Sequence, residues 1–299
     1  MGLTIKNTSM LLEYIAETNR NDPVSSGTLQ RPSDSVVNVT LTGKNNGEVI
    51  YSISSYWGQD TVYGTNEYTL SFDYYLQRHH NTGHTLALSV EQNALSRTLG
   101  LLSPLTFYYH TESDGTYQCT GSILNSFNLT PEENRIKCSV EYNVTSVVTS
   151  GGAVYGGLTG SSACGTTFEQ FKGAACTRSG SFEAGVSGFG FTINNNVQPL
   201  KLIGASSASY YEALENLSGT VNLLLNDGGE NDFAEMADNI ESDIVFASGT
   251  STTATDASMK WTFTNAHFGE IPINLTVDAP YVESGVNWGA EKVAFAIYS

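Results

Sequence analysis

Three groups of residues in this sequence have types that could do chemistry. His79, His80 and His84 lie together in His79-His80-Asn81-Thr82-Gly83-His84. Adjacent side chains point to opposite sides of an extended backbone, so His79 and His80 do not present two ligands to one ion, and their spacing is not that of a helical HExxH zinc site. The segment reads as a solvated loop. Asp227-Gly228-Gly229-Glu230-Asn231-Asp232 is dense in acid. A calcium loop sets oxygen ligands at alternate positions, which this stretch lacks. It reads instead as a helix start, where unpaired N–H groups and the dipole favour carboxylates. The third group is Glu141 and Asp278, which close two similar stretches, Ile136-Lys137-Cys138-Ser139-Val140-Glu141 and Ile273-Asn274-Leu275-Thr276-Val277-Asp278. Two carboxylates cleave a glycoside only when they flank one cleft. The same position in two copies of a unit is instead carried apart. The pair therefore has three readings: a solvated strand face, an acidic surface repeated around an assembly, or a catalytic dyad. No GxSxG elbow, P-loop, dinucleotide-binding glycine pattern or EF-hand loop is present. No catalytic, cofactor-binding or metal-binding residue is assigned, and no cofactor is expected.

The elements that would carry these residues are mostly strands. Period-two alternation or β-rich composition marks Val37–Thr42, Ile50–Ile53, Tyr68–Tyr74, Leu105–Tyr109, Tyr117–Leu129, Ile136–Glu141, Phe189–Asn194, Gly219–Leu225, Ile244–Phe246, Lys260–Phe263, Ile273–Asp278 and Val293–Tyr298. Phe233, Met236, Ala237 and Ile240 fall on one helical stripe, predicting a helix over Asn231–Glu241, with a counterpart over Ala87–Leu102. The strands recur. Val37–Thr42 resembles Phe189–Asn194 at an offset of 152, Tyr68–Tyr74 resembles Gly219–Leu225 at 151, and Ile136–Glu141 resembles Ile273–Asp278 at 137. The order is the same in both halves, which reads as a tandem duplication. Between them Thr149–Ser162 is glycine-rich and reads as a connection. The expected organisation is a first β domain over residues 1–150, a linker over 151–164 and a second β domain over 165–299. Each is a sandwich or small barrel with a short flanking α-helix.

Composition narrows the function classes. The chain has 299 residues, of which 14% are charged and 40% hydrophobic, so it can bury a core while presenting a polar, weakly ionic surface. Thirteen Lys and Arg stand against 30 Asp and Glu, a net charge of −17. Phosphate backbones are bound by cations, so tight nucleic-acid or anionic-membrane binding is disfavoured. No apolar run reaches the ~18 residues needed to span a bilayer, so no membrane anchor is expected, and Met1–Asn7 does not begin a secretion signal. Cys119, Cys138, Cys164 and Cys176 are too few for a disulfide scaffold and read as buried free thiols. The Asn-x-Ser/Thr triplets at Asn7, Asn38, Asn128, Asn143, Asn216 and Asn274 lie partly in predicted strands and are not read as glycosylation sites.

Several segments resemble a known family. Leu12-Glu13-Tyr14-Ile15-Ala16-Glu17-Thr18 with Asp22-Pro23 is similar to the opening of tail tube proteins of long-tailed phages and archaeal tailed viruses. So is Ser187–Pro199 leading into Leu217-Ser218-Gly219-Thr220-Val221-Asn222-Leu223, and so is the pair Gly121–Leu129 and Ile136–Tyr142. The first half departs from the pattern: Asn66-Glu67-Tyr68-Thr69 replaces Ser-Gly-Thr, and Thr85–Pro104 looks like extra sequence. The resemblance implies two tube domains, each a β-sandwich with a flanking helix, whose sheets join in a ring around a lumen. Members with one domain form hexameric rings, so two domains imply a trimer with pseudo-sixfold symmetry. It also implies stacked rings in the virion tail, made in the host cytoplasm and contacting other tail proteins at the tube ends. Genomic DNA would pass through the lumen without specific binding, and no enzyme activity is expected. Glu141 and Asp278 are the expected acidic residues of the lumen wall. A different class, a two-domain β-sandwich adhesin or carbohydrate-binding protein, would share this composition. It would need an aromatic platform, for which Tyr56-Trp57 and Tyr108-Tyr109 are the nearest candidates.

Overall fold

The computed structural model describes residues 11–24, 26–50, 60–62, 64–77, 90–95, 97–98, 101–111, 115–132, 134–150, 158–159, 174–178, 185–213, 215–225, 241–248, 259–269 and 282–297. Fourteen strands form one hydrogen-bonded network. The first seven are β1 (Leu11–Ala16), β2 (Val36–Asn45), β3 (Asn66–Tyr75), β4 (Leu105–Thr111), β5 (Gly115–Glu132), β6 (Arg135–Val144) and β7 (Ser146–Ser150). The second seven are β8 (Ala175–Thr177), β9 (Gly185–Asn194), β10 (Asn216–Leu225), β11 (Ser242–Ala247), β12 (Met259–Phe268), β13 (Val282–Ala290) and β14 (Lys292–Ile297). Alternation explains them. In β6, Ile136, Cys138, Val140, Tyr142 and Val144 are buried, while the residues between them are not.

Each pairing of the first seven strands recurs seven strands later. β1·β4, β2·β3, β3·β6, β4·β5, β5·β6 and β5·β7 are matched by β8·β11, β9·β10, β10·β13, β11·β12, β12·β13 and β12·β14, all antiparallel. One further pairing, β5·β9, joins the halves, so that a single layer runs β2-β3-β6-β5-β9-β10-β13. The long strands β5 and β12 each turn a corner. Their first parts pair with β4 and β7, or with β11 and β14, in a second layer.

Aromatic side chains fill the space between the layers. Phe107 on β4 packs edge-on against Tyr142 at 4.7 Å, and Phe263 on β12 packs edge-on against Trp288 at 4.7 Å. One buried cluster extends through both halves, and Phe127 stacks with Phe191 at 6.0 Å across the junction. Each fully buried aromatic contributes roughly 2–3 kcal/mol of apolar transfer.

The register corrects the sequence alignment of the halves. A bulge between Val36 and Asn38 on β2 matches one between Val186 and Gly188 on β9. Superposing the bulges gives offsets of 150 for β2/β9 and 149 for β3/β10, each two residues short of the sequence alignment. Thr40 thus corresponds to Gly190, not Thr192. A slip of two preserves the facing of every side chain, so alternation alone does not detect it. The counterpart of β6 is β13 at an offset of 146, which matches Val140 with Val286 and Glu141 with Asn287.

Two other expectations change. Of Ala87–Leu102, only α1 (Val90–Asn93) is helical among the described residues, and Arg97–Thr98 pairs with Leu101–Leu102. Val90 and Ala94 are buried one turn apart, but the sequence stripe contains Gly100, and glycine costs about 1 kcal/mol relative to alanine in a helix interior. The expected helix at Asn231–Glu241 lies outside the described residues except for Glu241. Within the expected linker, Leu158–Thr159 pairs in parallel with Gly27–Thr28.

Candidate functional site

The through-going layer buries one face and leaves the other outward. Its outward side chains line up in rungs set by the register. Asn38, Asp73, Ser139, Asn128, Thr192 and Ser218 are successive facing residues on six strands. The next rung runs Thr40, Ser71, Glu141, Ser126, Asn194 and Asn216. Hydroxyls and amides dominate both. A shallow trough on this face is bordered by Asn128, Thr130, Thr192, Ser218, Thr220 and Asn287 and has no ionisable lining residue.

Charges on the face are held in pairs. Lys137 lies 3.2 Å from Asp73. Burial pushes the Asp73 carboxyl up, but the Ser139 hydroxyl and the Lys137 ammonium outweigh it and hold the group below its ordinary range. Lys201 sits 2.8 Å from Glu67 and lowers that carboxyl. Tyr75 donates to Glu132 at 3.2 Å, and the Arg135 guanidinium lies 5.0 Å above the Tyr75 ring. Glu141 is different: Asn125 Nδ2 donates to it at 2.7 Å, with no cation paired to it among the described residues. Asn125 in turn accepts from the Val197 amide at 3.0 Å, which ties Glu141 to the β5·β9 junction. Asp278 lies outside the described residues. The register matches Glu141 with Asn287 on β13 and not with Asp278. The two carboxylates are therefore not equivalent positions, which corrects the sequence pairing.

The remaining candidates are quickly placed. His79, His80, His84 and the stretch Asp227–Asp232 lie outside the described residues, as do Tyr56-Trp57 and Cys164. Among the described residues no group of three or more His, Cys, Asp or Glu could hold a metal ion. No described helix is long and apolar enough to cross a membrane. Cys119, Cys138 and Cys176 are free thiols, and burial pushes the Cys119 thiol up to about 12. Tyr108 and Tyr109 are buried, so they do not form an exposed aromatic platform.

Sequence reasoning missed two features that shape this face. The first is the corner of each long strand. Gly121 and Asn265 both have positive φ, 64° and 52°. Glu17, only 7% exposed, accepts from the Gly121 amide at 2.7 Å, the Thr106 hydroxyl at 2.6 Å and the Asn21 amide at 2.9 Å. A glycine inside a long strand was the available signal. The second is a hairpin arm. Gln198–Leu200 pairs with Ser209–Tyr211, and Glu48–Ile50 pairs with Asp60–Val62 at the corresponding place in the first half. The later arm reaches back onto the first half. Asn66 exchanges backbone bonds with Ser206 and Ala208, both at 3.0 Å. Tyr210 packs among Leu102, Ile123, Val197 and Ala208, and Arg20 bridges to Glu212 and the Tyr210 carbonyl.

No protein-family model and no curated protein matches this chain.

Proposed function

We propose that this protein is the structural subunit of a viral tail tube, with each half serving as one tube domain. The observation that carries the reading is the β5·β9 junction. One unit adds to the next by edge pairing, with the layer unbroken across the joint. Such a joint is heterologous: it leaves unlike edges at the two ends, and repetition closes into a ring or runs on as a filament. Three chains would supply six units. Rings would stack into a tube in the virion tail, with other tail proteins at its ends, after synthesis in the host cytoplasm.

The outward face would form the lumen wall. Its hydroxyls, amides and paired charges offer a passing polyanion few cations to bind, and Glu141 adds repulsion. Asp278 is proposed for the wall as well. The protein would act by shape and self-association, without catalysis or cofactor.

Electron microscopy of the purified protein, with mass measurement on a detached ring, tests the reading. Stacked rings of three chains are expected. Six chains per ring, or a stable monomer under assembly conditions, would overturn it.

A further inference from the structure

An amine, a carboxylate and a carboxamide from the two halves meet at one oxygen. Lys201 Nζ lies 2.8 Å from Glu67 Oε1, and Asn46 Nδ2 donates to the same atom at 2.8 Å. The two nitrogens are therefore no more than 5.6 Å apart, twice that distance. Asn46 Nδ2 also donates to the Thr65 carbonyl at 3.0 Å, so two acceptors fix which end of its amide faces Glu67. The backbone on both sides is held. Lys44 and Asn45, just before Asn46, pair with Glu67 and Asn66 at the end of β2. The arm that carries Lys201 is fastened beside them: Asn66 exchanges backbone bonds with Ser206 and Ala208, and the Tyr68 amide contacts the Tyr210 hydroxyl. A half-exposed ion pair contributes little stability, but reacting groups held together on fixed backbone gain a large effective concentration.

We propose that this is a self-modification site, at which Lys201 and Asn46 become joined by an amide bond with Glu67 as the proton carrier. Glu67 takes one proton from the Lys201 ammonium, and the free amine attacks Asn46 Cγ. The new bond is Nζ–Cγ, and the bond that breaks is Cγ–Nδ2. The two protons shed by Nζ pass through Glu67 to Nδ2, which leaves as ammonium. Nζ keeps one hydrogen in the new amide, and Glu67 returns to its carboxylate. Charge and atoms balance without an oxidant, a reductant or a further reactant. The Lys201 hydrogen bond holds the Glu67 carboxyl below its ordinary range, so it is ionised and can accept the first proton. Lys44, which faces Glu67 across the strands, is the other cation acting on that carboxylate.

The bond ties the arm of the second half to the end of β2 in the first, across a sequence separation of 155 residues (201 minus 46). Tyr210 and the Arg20–Glu212 pair hold the same arm by contacts that can open. An amide does not open. Pulling the halves apart would then load a covalent loop instead of the Ser126–Leu129 ladder alone. The role is mechanical, and it does not depend on whether rings form.

Mass spectrometry of the purified full chain tests it, after incubation at about pH 9, where a larger share of lysine is uncharged. The intact mass should fall by one ammonia, and a protease digest should yield a branched peptide joining Asn46 to Lys201. Asn46-Gly47 can also lose ammonia by closing on its own backbone, but Lys201 then stays in a linear peptide. Ammonia loss of that kind, or an unchanged mass, would overturn the proposal. Lys201→Arg keeps the cation without a nucleophilic amine, and Asn46→Ala removes the carbonyl; both should fold with wild-type circular dichroism and give no branched peptide. Lys44→Arg should form the bond as the parent does. Glu67→Gln should slow its accumulation about a hundredfold or more. A branched peptide that forms at the parental rate in Glu67→Gln would overturn the site as drawn.

Discussion

Gly121 and Asn265 are one structural position occurring twice. They lie 144 residues apart at the corners of β5 and β12, and both take the left-handed conformation. Each donates its backbone N–H to a carboxylate, Gly121 to Glu17 at 2.7 Å and Asn265 to Asp243 at 3.1 Å. The acid comes from a different place in each half. Asp243 stands where the first half has Thr106, and there the Thr106 hydroxyl instead bonds to Glu17. The corner needs a turned residue and an acceptor for its amide, and the two halves meet that need with different side chains.

The corners should differ in their tolerance of substitution. A Cβ on Gly121 would collide with the Asn21 and Thr145 side chains, and left-handed backbone costs an L-residue roughly 1–2 kcal/mol. Gly121→Ala should lose about 2 kcal/mol or more in urea unfolding. Asn265→Gly relieves backbone strain while losing the bond to Glu291, and should stay within about 1 kcal/mol of the parent.

Glu17 and Asp73 should respond to pH with opposite signs. Burial holds the Glu17 carboxyl above its ordinary 4.5, against the lowering pull of Thr106, Gly121 and Asn21. Between 4.5 and the folded value the folded chain binds the proton more tightly, so stability rises as pH falls through that window. The stability of the parent relative to Glu17→Gln should therefore increase as pH is lowered from 7 toward 4.5. Asp73 is held below its ordinary 3.8, so its contribution is fully present above 3.8 and is lost as pH falls through the folded value. The parent's advantage over Asp73→Asn should stay flat above 3.8 and vanish in stronger acid. Denaturant titrations at stepped pH measure both.

Tyr210 anchors the arm. It is 5% exposed, and its hydroxyl contacts the Tyr68 amide at 3.3 Å. Tyr210→Ala should cost about 3 kcal/mol, as for other large-to-small core changes, and Tyr210→Phe about 1 kcal/mol. Equal losses in the two variants would show that the ring itself contributes little.

If the outward face lines the lumen, Glu141→Lys puts a cation among hydroxyls and amides along the path of the genome. Well-formed mutant tails should release DNA more slowly than the parent in a single-particle ejection assay. Unchanged ejection kinetics would remove Glu141 from any role in the wall.

Strand identity was largely legible because burial on one face imprints period-two alternation, as in β6 and β9. Register was not, since Val37–Thr42 aligns with its partner equally well after a two-residue slip, and only the bulges at Val37 and Ser187 remove the ambiguity. Ile136–Glu141 aligns in sequence with Ile273–Asp278 instead of with β13 for the same reason: short alternating stretches are alike. The outward rungs are visible as Ser, Thr and Asn between apolar residues, yet which of them face each other depends on pairings between distant strands. Glu17 and Tyr210 left almost no trace, because their roles arise from contacts with residues 104 and 142 positions away.

The order of the pairings also bears on synthesis. All six pairings of the first half lie within residues 11–150, so that half can complete its network while the rest of the chain is still being translated. Until Gly185–Asn194 leaves the ribosome, Ser126–Leu129 stands as an open edge, the same template that the second half later occupies. The nascent first half is thus a natural target for a chaperone, and for mispairing between chains on neighbouring ribosomes.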